Sequence, residues 1–486
     1  MEITFDNTYA KLPERFYSRV EPQPVADPKT VVVNEELARQ LGFDASWLRS
    51  EAGAEFIVGN RLLDGSEPIA LVYAGHQFGN WVPRLGDGRA VLVGEVVDEE
   101  GQRFDVQLKG SGRTPYSRQG DGRAPLGPVL REYLVAESMA ALGIPTTRAL
   151  AAATTGEKVL RERSLPGAVL VRVAKSHIRV GTFEYFASQG DAEALEVLVD
   201  YTLGRHYPQV EEGSSMDLLR EVARRQATLV AKWQLLGFIH GVMNTDNMLV
   251  SGETVDYGPC AYMNEYDPQT VYSSIDRFGR YAYGNQPVIA QWNLAQFAQA
   301  LMVGVDKEER EDFLEQAQAV IDEFPERFRI AFRQGMARKL GFEEYRDRDW
   351  PLMEDLLELM AENESDFTLT FRGLTEIVDG EQEVPAIFEL PDAFDEWIER
   401  WRERLSEDSA TEEERRRAMA VENPAFIPRN HLVAAALDDA VEEGDYERFH
   451  TLLEVLTEPF EYREEFEAFA RPPKPEERVP ATFCGT

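Results

Sequence analysis

Cysteine is scarce in this sequence, because its 486 residues include only Cys260 and Cys484. Two thiols so far apart exclude a disulfide-rich secreted scaffold and do not form a zinc-ligand motif. The residues alone leave two interpretations open. The thiols are unrelated, or they form a reversible disulfide that ties the proline-containing tail RPPKPEERVPATFCGT to the loop that carries Cys260.

Long apolar runs are also missing. Nowhere do about 18 apolar residues follow one another, the length that a membrane-spanning helix needs. The first residues, MEITFDNTYAKLPERF, do not combine a positive segment with an apolar run, as a secretory signal would. We therefore expect a cytoplasmic protein without a membrane partner.

Basic residues are strongly outnumbered. The chain has 51 Lys and Arg against 87 Asp and Glu, and its formal net charge is −36. Because phosphate backbones are bound by clustered cations, this balance excludes a general nucleic-acid or anionic-membrane surface. The acidity fits a strongly solvated surface, and a role in recruiting an acidic partner is the alternative. We expect the protein to be a monomer.

Length and periodicity predict an α+β protein with two lobes, since 486 residues exceed one typical core. Residues 1–70 mix extended pieces with short helices, and we expect this extension to wrap the next unit. Residues 71–175 contain strands such as AVLVGEVV and FDVQLKG, with one helix, LGPVLREYLVAESMAALG. Residues 176–480 show helical periodicity, and residues 481–486 form a cysteine-bearing tail.

A candidate phosphate site begins at RLGDGRAVLVGEV, which places Gly86 and Gly88 in a turn before a strand. Glycines let backbone amides approach a phosphate, although a plain hairpin turn explains the same residues. Lys109 ends the next strand, where kinases put their phosphate-binding lysine. Glu132 follows on the inward stripe of the predicted helix. We expect it to pair with Lys109, and a solvent-exposed Glu beside Arg131 is the alternative.

The stretch HGVMNTDNMLVSGETVDYG, residues 240–258, predicts the end of a helix, a polar loop, a short strand and a second polar loop. Kinases place H-R-D-x-x-x-x-N in such a loop, followed by Asp-Phe-Gly. His240 and Asn247 keep this spacing and Asp256 begins the second motif, but Val242 stands where kinases have their catalytic Asp. Asn247 and Asp256 offer oxygen ligands that suit Mg²⁺ or Mn²⁺ bound jointly with substrate phosphates.

Asp246 is the remaining carboxylate of the first loop. It could accept a proton from an attacking hydroxyl, and capping of the loop is the alternative. Arg172 and Arg179 lie at a predicted strand end and turn, where they would bind a triphosphate unless they are surface residues. Asp121-Gly122-Arg123 has the same sequence as the last three residues of Gly86–Arg89. This repeat predicts a second loop over the nucleotide, or is a repeated turn without function.

Five long and specific strings carry a family resemblance: YAGHQFGNWVPRLGDGRA, QLKGSGRTPYSRQGDGRAPLG, VRVAKSHIRVGTFEYF, HGVMNTDNM and DYGPC. Through them the chain resembles the selenoprotein O family of kinase-fold proteins over nearly its whole length. The resemblance implies a two-lobed, protein-kinase-like fold that binds ATP in a reversed orientation. It also implies transfer of AMP to Ser, Thr or Tyr hydroxyls of protein substrates, with release of pyrophosphate. A reversed nucleotide would explain why Val242 replaces the kinase Asp. The resemblance also implies transfer of UMP from UTP and use of Mn²⁺.

The family's functional residues fall on matching positions of this chain. The resemblance implies Asp246 as proton acceptor and Asn247 with Asp256 as metal ligands. The implied nucleotide contacts are Gly86, Gly88, Arg89, Lys109, Asp121, Gly122, Arg172, Arg179 and Asp256. This chain has Cys484 where some members carry a selenocysteine near the C-terminus. A pair between Cys260 and Cys484 resembles the redox latch of bacterial members, so activity would depend on thiol reduction.

Two other functions remain as alternatives. A conventional protein phosphotransferase would transfer the γ-phosphate, but Val242 in place of the catalytic Asp disfavours it. A catalytically inactive nucleotide-binding scaffold is the second alternative. The presence of Lys109, Glu132, Asn247 and Asp256 argues against the scaffold, because an inactive site does not need all four.

Overall fold

The computed structural model describes residues 1, 3–210, 213–378 and 384–483. The described strands are β1 (Tyr17–Arg19), β2 (Lys29–Val33), β3 (Ile69–Leu71), β4 (Gly75–Gln77), β5 (Asn80–Val82), β6 (Ala90–Val97), β7 (Arg103–Lys109), β8 (Ala124–Pro125), β9 (Arg148–Leu160), β10 (Ser164–Ala174), β11 (Phe238–Ile239) and β12 (Ala261–Tyr262). Eight of them form one antiparallel sheet in the order β1-β3-β6-β7-β10-β9-β2, with β8 paired to β10. The β4–β5 hairpin and the β11–β12 pair are separate.

Helices dominate the second half of the chain. The described α-helices are α1 (Glu35–Gln40), α2 (Ala45–Leu48), α3 (Glu51–Val58), α4 (Leu126–Ala141), α5 (Val180–Ser188), α6 (Ala192–His206), α7 (Ser215–Leu235), α8 (Gln286–Val303), α9 (Arg310–Lys339), α10 (Trp350–Glu362), α11 (Phe367–Glu376), α12 (Asp395–Leu405), α13 (Glu412–Ala420), α14 (Asn430–Asp438), α15 (Glu447–Thr457) and α16 (Glu467–Ala470). A π-helical turn, Asp439–Glu443, follows α14. This division confirms the predicted α+β class with a strand-rich part and a mainly helical part.

The alternation of side chains in the central strands decides which residues face the helical part. In β10, Val171 and Val173 pack with the core formed by α1, α3 and the sheet, whereas Leu170 packs on the other face with α4. Arg172 therefore points to the α4 side, because successive strand residues face opposite ways. In the register of β7 and β10, Arg172 lies opposite Gln107. Gln107 and Arg172 are therefore buried on the face of the sheet that α4 covers.

The first 70 residues supply both edges of the sheet. β1 pairs with β3 at one edge, and β2 pairs with β9 at the other. Phe56 and Leu48, from α3 and α2, are fully buried against the outer face of the sheet. The extension thus wraps the sheet by pairing with it. The domain boundaries at residues 70, 175 and 480 stay predictions.

Local signals in the sequence set the ends of the long helices. The side chain of Ser214 accepts a hydrogen bond from Asp217 N and caps α7. Gly237 then takes a positive φ of 68° and ends the turn that follows α7. Because α7 carries a broad apolar stripe from Leu218 to Trp233, it is buried at the centre of the helical part and directs the chain into β11 and the catalytic loop, residues 240–258.

The segment after Asn247 is not the short strand that its sequence predicts. Its pairing with the chain before α5 lasts for a single bridge, between Leu249 and Arg179. The partner segment becomes helical at Val180, so no ladder can continue. Gly252, with a φ of 80°, then turns the chain toward the second polar loop.

Among the described residues, no helix is both long and apolar enough to cross a bilayer. The cytoplasmic location stays a prediction.

Candidate active site

A cleft of about 270 Å³ opens between the sheet and the catalytic loop. Its walls come from the turn before β6, the end of β7, the loop before β8, the end of β10 and the catalytic loop. The predicted site residues that line it are Gly86, Gly88, Arg89, Lys109, Asp121, Gly122, Arg172, Arg179, Asp246, Asn247 and Asp256. The fold thus brings residues from five separate stretches of sequence to one place.

Both glycine-containing turns need their glycine. Gly86 has a φ of 74°, and a Cβ atom there would lie 2.4 Å from the ring of Tyr116. Gly122 has a φ of 71°, and a Cβ atom would lie 2.1 Å from the carbonyl oxygen of Gly112. Each position combines a left-handed backbone with no room for a side chain. Both turns therefore pack closely against the neighbouring chain at the wall of the cleft.

Glu132 on α4 is a buried carboxylate shared by two cations. Lys109 Nζ contacts Glu132 Oε2, and Arg172 Nη1 donates to Glu132 Oε1 at 3.1 Å. Burial alone would raise the pKa of Glu132, but Lys109 and Arg172 together lower it below the ordinary value. The side chain is therefore ionised. Removing one member of such a set costs about 3–5 kcal/mol, because a charge is left buried without its partner.

Asp256 lies on the other side of Lys109. Its Oδ1 accepts a hydrogen bond from Lys109 Nζ at 3.2 Å, and a quarter of its side chain is exposed to the cleft. Burial opposes ionisation, but Lys109, Arg89 and Arg172 hold the pKa of Asp256 well below its usual range. The residue has a φ of 68°, a left-handed conformation that Asp tolerates better than most residues. Asp256 is thus a fixed negative charge facing the cleft.

Arg179 joins the sheet side of the cleft to the catalytic loop. It lies at the N-cap position of α5, and its Nη1 donates to the backbone oxygen of Asp246 at 2.6 Å. The guanidinium lies 4.4 Å from the centre of the Tyr73 ring, and Nη2 is 3.9 Å from Asp87 Oδ1. Arg179 is therefore held rigidly by the chain around Asp246.

Asp246 is a buried carboxylate with an unused oxygen. Gln77 Nε2 donates to its Oδ2 at 3.2 Å, whereas Oδ1 has no hydrogen-bond partner among the described residues. Burial raises the pKa of Asp246 to about 6, although Gln77 and Arg179 act in the opposite direction. A carboxylate that lines a cleft and has a raised pKa is suited to accept a proton near neutral pH. The hairpin residue Gly75 leaves room for it, because a Cβ atom there would lie 2.5 Å from Oδ1.

Asn247 and Asp256 fit the chemistry of a hard divalent cation. Asn247 Nδ2 donates to the backbone oxygen of Val242 at 3.0 Å, so its Oδ1 is the atom available for coordination. Amide and carboxylate oxygens suit Mg²⁺ or Mn²⁺, which commonly take one or two protein ligands and complete their shell with phosphate and water. In the described part of the chain, no three His, Cys, Asp or Glu side chains form a metal-holding group by themselves. The donors present therefore fit a metal that is bound together with substrate phosphates.

His240 ties the two halves of the catalytic loop together. Its Nε2 donates to the backbone oxygen of Val255 at 2.9 Å, and its Nδ1 accepts from Val242 N at 3.3 Å. Burial lowers the pKa of His240, so the neutral ring makes both bonds. Val242 is itself buried and has no chemistry to offer. His240 thus fixes the backbone next to Asp256.

A second cavity, of about 440 Å³, lies on the α4 side of Lys109 and Asp256. We call it the apolar cavity, and its described apolar lining includes Ala124, Val129, Leu165, Leu170, Leu437 and Val441. Arg89, Lys109 and Asp256 line both this cavity and the cleft. The C-terminal segment closes one wall with Val479, Ala481, Thr482 and Phe483. A polar cleft and an apolar cavity therefore meet at Lys109.

The two cysteines can be only partly located. Cys260 is fully buried, and burial raises the pKa of its thiol to about 11. Cys484 lies outside the described residues. Thr482, two residues before it, donates from Oγ1 to the backbone oxygen of Pro259 at 2.6 Å, so the described tail ends next to the segment that holds Cys260.

Several polar residues of the cleft were not singled out from the sequence. Asp87 is buried and accepts from Gln107 Nε2 at 3.2 Å, and Gln107 Oε1 in turn accepts from Arg172 Nη2 at 2.6 Å. Arg161 bonds both carboxylate oxygens of Asp121, at 2.8 and 3.1 Å. The sequence does indicate Gln107, since it is a polar residue on the same strand face as Lys109. No sequence pattern indicates Arg161, because this residue follows a strand whose pairing the sequence does not reveal.

Comparisons with known proteins identify the family of the chain. Residues 1–457 match the family described as protein adenylyltransferase SelO. A protein nucleotidyltransferase YdiU of Rhodopseudomonas palustris (strain BisB5) is 54% identical over 491 residues, which cover all of both chains. Its counterpart in Bradyrhizobium diazoefficiens is also 54% identical, over 490 residues and the full length of both. The one in Rhizobium rhizogenes is 53% identical and covers all of this chain and 97% of the relative. The chain therefore belongs to the SelO family of protein adenylyltransferases, and it is a nucleotidyltransferase.

Proposed function

We propose that the protein transfers AMP from ATP to a Ser, Thr or Tyr hydroxyl of another protein and releases pyrophosphate. The observation that carries this proposal is the meeting of Lys109, Asp256 and Asp246 in one cleft. Phosphoryl chemistry asks a protein mainly for positioning and charge neutralisation. The cleft offers cations for a triphosphate and a carboxylate for the proton of the acceptor.

The distribution of charge supports a reversed nucleotide. Arg172 and Arg179 lie at the end of β10 and at the start of α5, where the sheet connects to the helical part. Cations at this deep end suit the terminal phosphates. The apolar cavity on the other side of Lys109 suits the base, which needs apolar walls. In this orientation the α-phosphate lies between the two regions, within reach of the cleft's carboxylates.

The proposed reaction is an in-line displacement at the α-phosphorus. The acceptor oxygen forms a bond to phosphorus while the bond to the β-phosphate oxygen breaks, and the electron pair leaves with pyrophosphate. The carboxylate of Asp246 takes the proton of the hydroxyl. Lys109, held by Glu132, and the two arginines stabilise the charge on the triphosphate.

Asn247 and Asp256 would hold Mg²⁺ or Mn²⁺ together with the phosphate oxygens. When bound, such an ion neutralises the charge of the triphosphate. Because UTP carries the same triphosphate, the proposal includes transfer of UMP. Competition between labelled ATP and unlabelled UTP measures which base the protein prefers.

Redox control is a further part of the proposal. The observation that supports it is that Thr482, two residues before Cys484 in the sequence, contacts Pro259, the residue before Cys260. A disulfide between Cys260 and Cys484 would fix the wall of the apolar cavity formed by the C-terminal segment.

Labelled nucleotides test the proposal directly. The reduced protein is incubated with a bacterial lysate and either α-labelled or γ-labelled ATP, and labelled proteins are identified by mass spectrometry. We expect label only from α-labelled ATP, on hydroxyl side chains, and much less label with the Asp256→Asn variant at the same cation concentration. Label from γ-labelled ATP would instead indicate a phosphotransferase, and no label from either would contradict the proposed transfer.

A further inference from the structure

An exposed apolar groove lies beside the catalytic loop. Phe278 is 97% exposed, Val288 62% and Ile275 54%, although all three are large apolar side chains. Contiguous exposed apolar surface is unusual on a soluble chain and commonly marks an interaction site. We define the apolar groove by six of its lining residues: Phe78, Ile275, Arg277, Phe278, Arg280 and Val288.

The β4–β5 hairpin connects this groove to Asp246. Gln77 Nε2 donates to Asp246 Oδ2 at 3.2 Å, and the next residue, Phe78, lines the groove. Phe78 N donates at 3.0 Å to the side-chain oxygen of Asn244, which also accepts from Tyr281 OH at 2.7 Å. Because Phe78 directly follows Gln77, the groove begins one residue away from the side chain that binds the Asp246 carboxylate.

The groove is cationic on a protein of net charge −36. Arg277 and Arg280 are its described basic residues, and the Arg280 guanidinium lies 4.8 Å from the centre of the Trp292 ring. Asp276 also lies there, but its carboxylate accepts from Arg280 N at 3.0 Å and from Tyr281 N at 2.8 Å. These bonds hold the Asp276 carboxylate against backbone N–H groups. The surface thus offers apolar contacts and positive charge together, and it complements an acidic segment.

We propose that the apolar groove binds the acceptor protein through a segment that carries an apolar side chain and acidic residues close to the modified hydroxyl. The inference rests on the proposed transfer of AMP and adds the chemical class of acceptor. Phe278 and Ile275 make the apolar contact, Arg277 attracts the acidic residues, and the hairpin places the hydroxyl beside Asp246.

Peptide binding tests the groove without any nucleotide. Fluorescent peptides carry one Tyr flanked by Phe and Asp, or the same Tyr flanked by Ser and Arg, and their affinity is measured by fluorescence anisotropy. We expect the Phe/Asp peptides to bind at least about tenfold more tightly, a difference of about 1.4 kcal/mol. Equal affinities would overturn the inference.

Variants of the apolar groove test whether the peptides bind there. Ile275→Ser/Phe278→Ser removes exposed side chains only, so the fold and the melting temperature should not change. We expect it to abolish the preference for Phe/Asp peptides, whereas Leu314→Ser, at a 56% exposed position on α9, leaves the preference intact. Arg277→Glu should reverse the preference for Asp over Arg. Unchanged binding in the first variant would overturn the proposal.

Two further readouts separate the possible failures. Peptides that bind in the groove but take no label from α-labelled ATP would contradict the proposed transfer and leave the docking surface supported. Sedimentation of the free protein tests the competing occupant. A dimer of the wild type that Ile275→Ser/Phe278→Ser converts to a monomer would mean that the groove holds a second copy, which would overturn the inference.

Discussion

Lys109 and Asp256 lie 147 residues apart in the sequence, yet Nζ and Oδ1 of these residues are 3.2 Å apart across the cleft. This contact joins the sheet to the catalytic loop. Lys109 Nζ also contacts the carboxylate of Glu132, so the charge of Lys109 is fixed at the place where the cleft and the apolar cavity meet.

Glu132→Gln should disable the site. The change removes the charge that holds Lys109 and Arg172, so we expect kcat/KM for AMP transfer to fall by about 100-fold or more. Glu137→Gln is the matched control, because Glu137 is also a buried carboxylate of α4 and binds Arg148 at 2.7 Å. Both variants should lose a similar part of their unfolding free energy. Equal losses of transfer in the two variants would show that Glu132 acts only through stability.

Asp246→Asn should separate nucleotide binding from transfer. The amide keeps the size of the side chain but cannot take the proton of the acceptor, so we expect transfer to fall by about 10²–10⁴-fold. Thermal stabilisation by ATP should be the same as in the wild type, since Asp246 is not proposed to bind the triphosphate. Full transfer activity in this variant would remove Asp246 from the mechanism.

Gly75→Ala should displace the proton acceptor without touching it chemically. The new Cβ atom would lie 2.5 Å from Asp246 Oδ1, so the carboxylate must move. Because small displacements of reacting groups cost about 100-fold in rate, we expect a loss of that order. Gly204→Ala on α6, where a Cβ atom meets nothing within 4 Å, should keep wild-type activity. Wild-type rates for Gly75→Ala would contradict the placement of Asp246.

Removal of divalent cations should stop transfer reversibly. We expect chelation by EDTA to abolish labelling from α-labelled ATP, and added Mg²⁺ or Mn²⁺ to restore it. Asp256→Asn is the appropriate variant at this ligand, because Asn tolerates the left-handed backbone that Ala would strain. It should need a higher cation concentration for the activity that it retains. Labelling that persists in EDTA would contradict the metal site.

Oxidation should join Cys260 to Cys484 and lower activity. Peptide mapping without reductant detects the joined peptides, and reduction should restore transfer. The Cys484→Ser variant should be insensitive to oxidant. Peptide maps that never show this pair in an oxidised, inactive protein would contradict a regulatory disulfide between Cys260 and Cys484.

Much of the fold could be predicted from the sequence, because apolar alternation and helix-ending signals are local. β6, β7 and α4 lie where the sequence predicts them. β9 was not predicted, since its stretch ALAAATTGEKVL is rich in small residues that suit a strand only when neighbours pair on both sides. The role of β1 and β2 as the two edges of the sheet depends on pairing with distant strands.

Prediction of the candidate site is also limited to residues that stand in local motifs. Lys109, Asn247 and Asp256 stand in motifs with a fixed spacing, so the sequence indicates them. Asp87 and Arg161 act through partners that only the fold brings near, namely Gln107 and Asp121. The absence of a strand after Asn247 has the same cause, since the partner segment becomes α5.

A structure with bound, non-hydrolysable ATP tests the central claim most directly. The distances to measure are those from the terminal phosphate to Arg172 and Arg179, and from the α-phosphate to Asp246. We predict the terminal phosphate within hydrogen-bond distance of the two arginines and the base in the apolar cavity. A terminal phosphate directed toward Asp246, with the base at the arginines, would contradict the reversed orientation and the proposed adenylyl transfer.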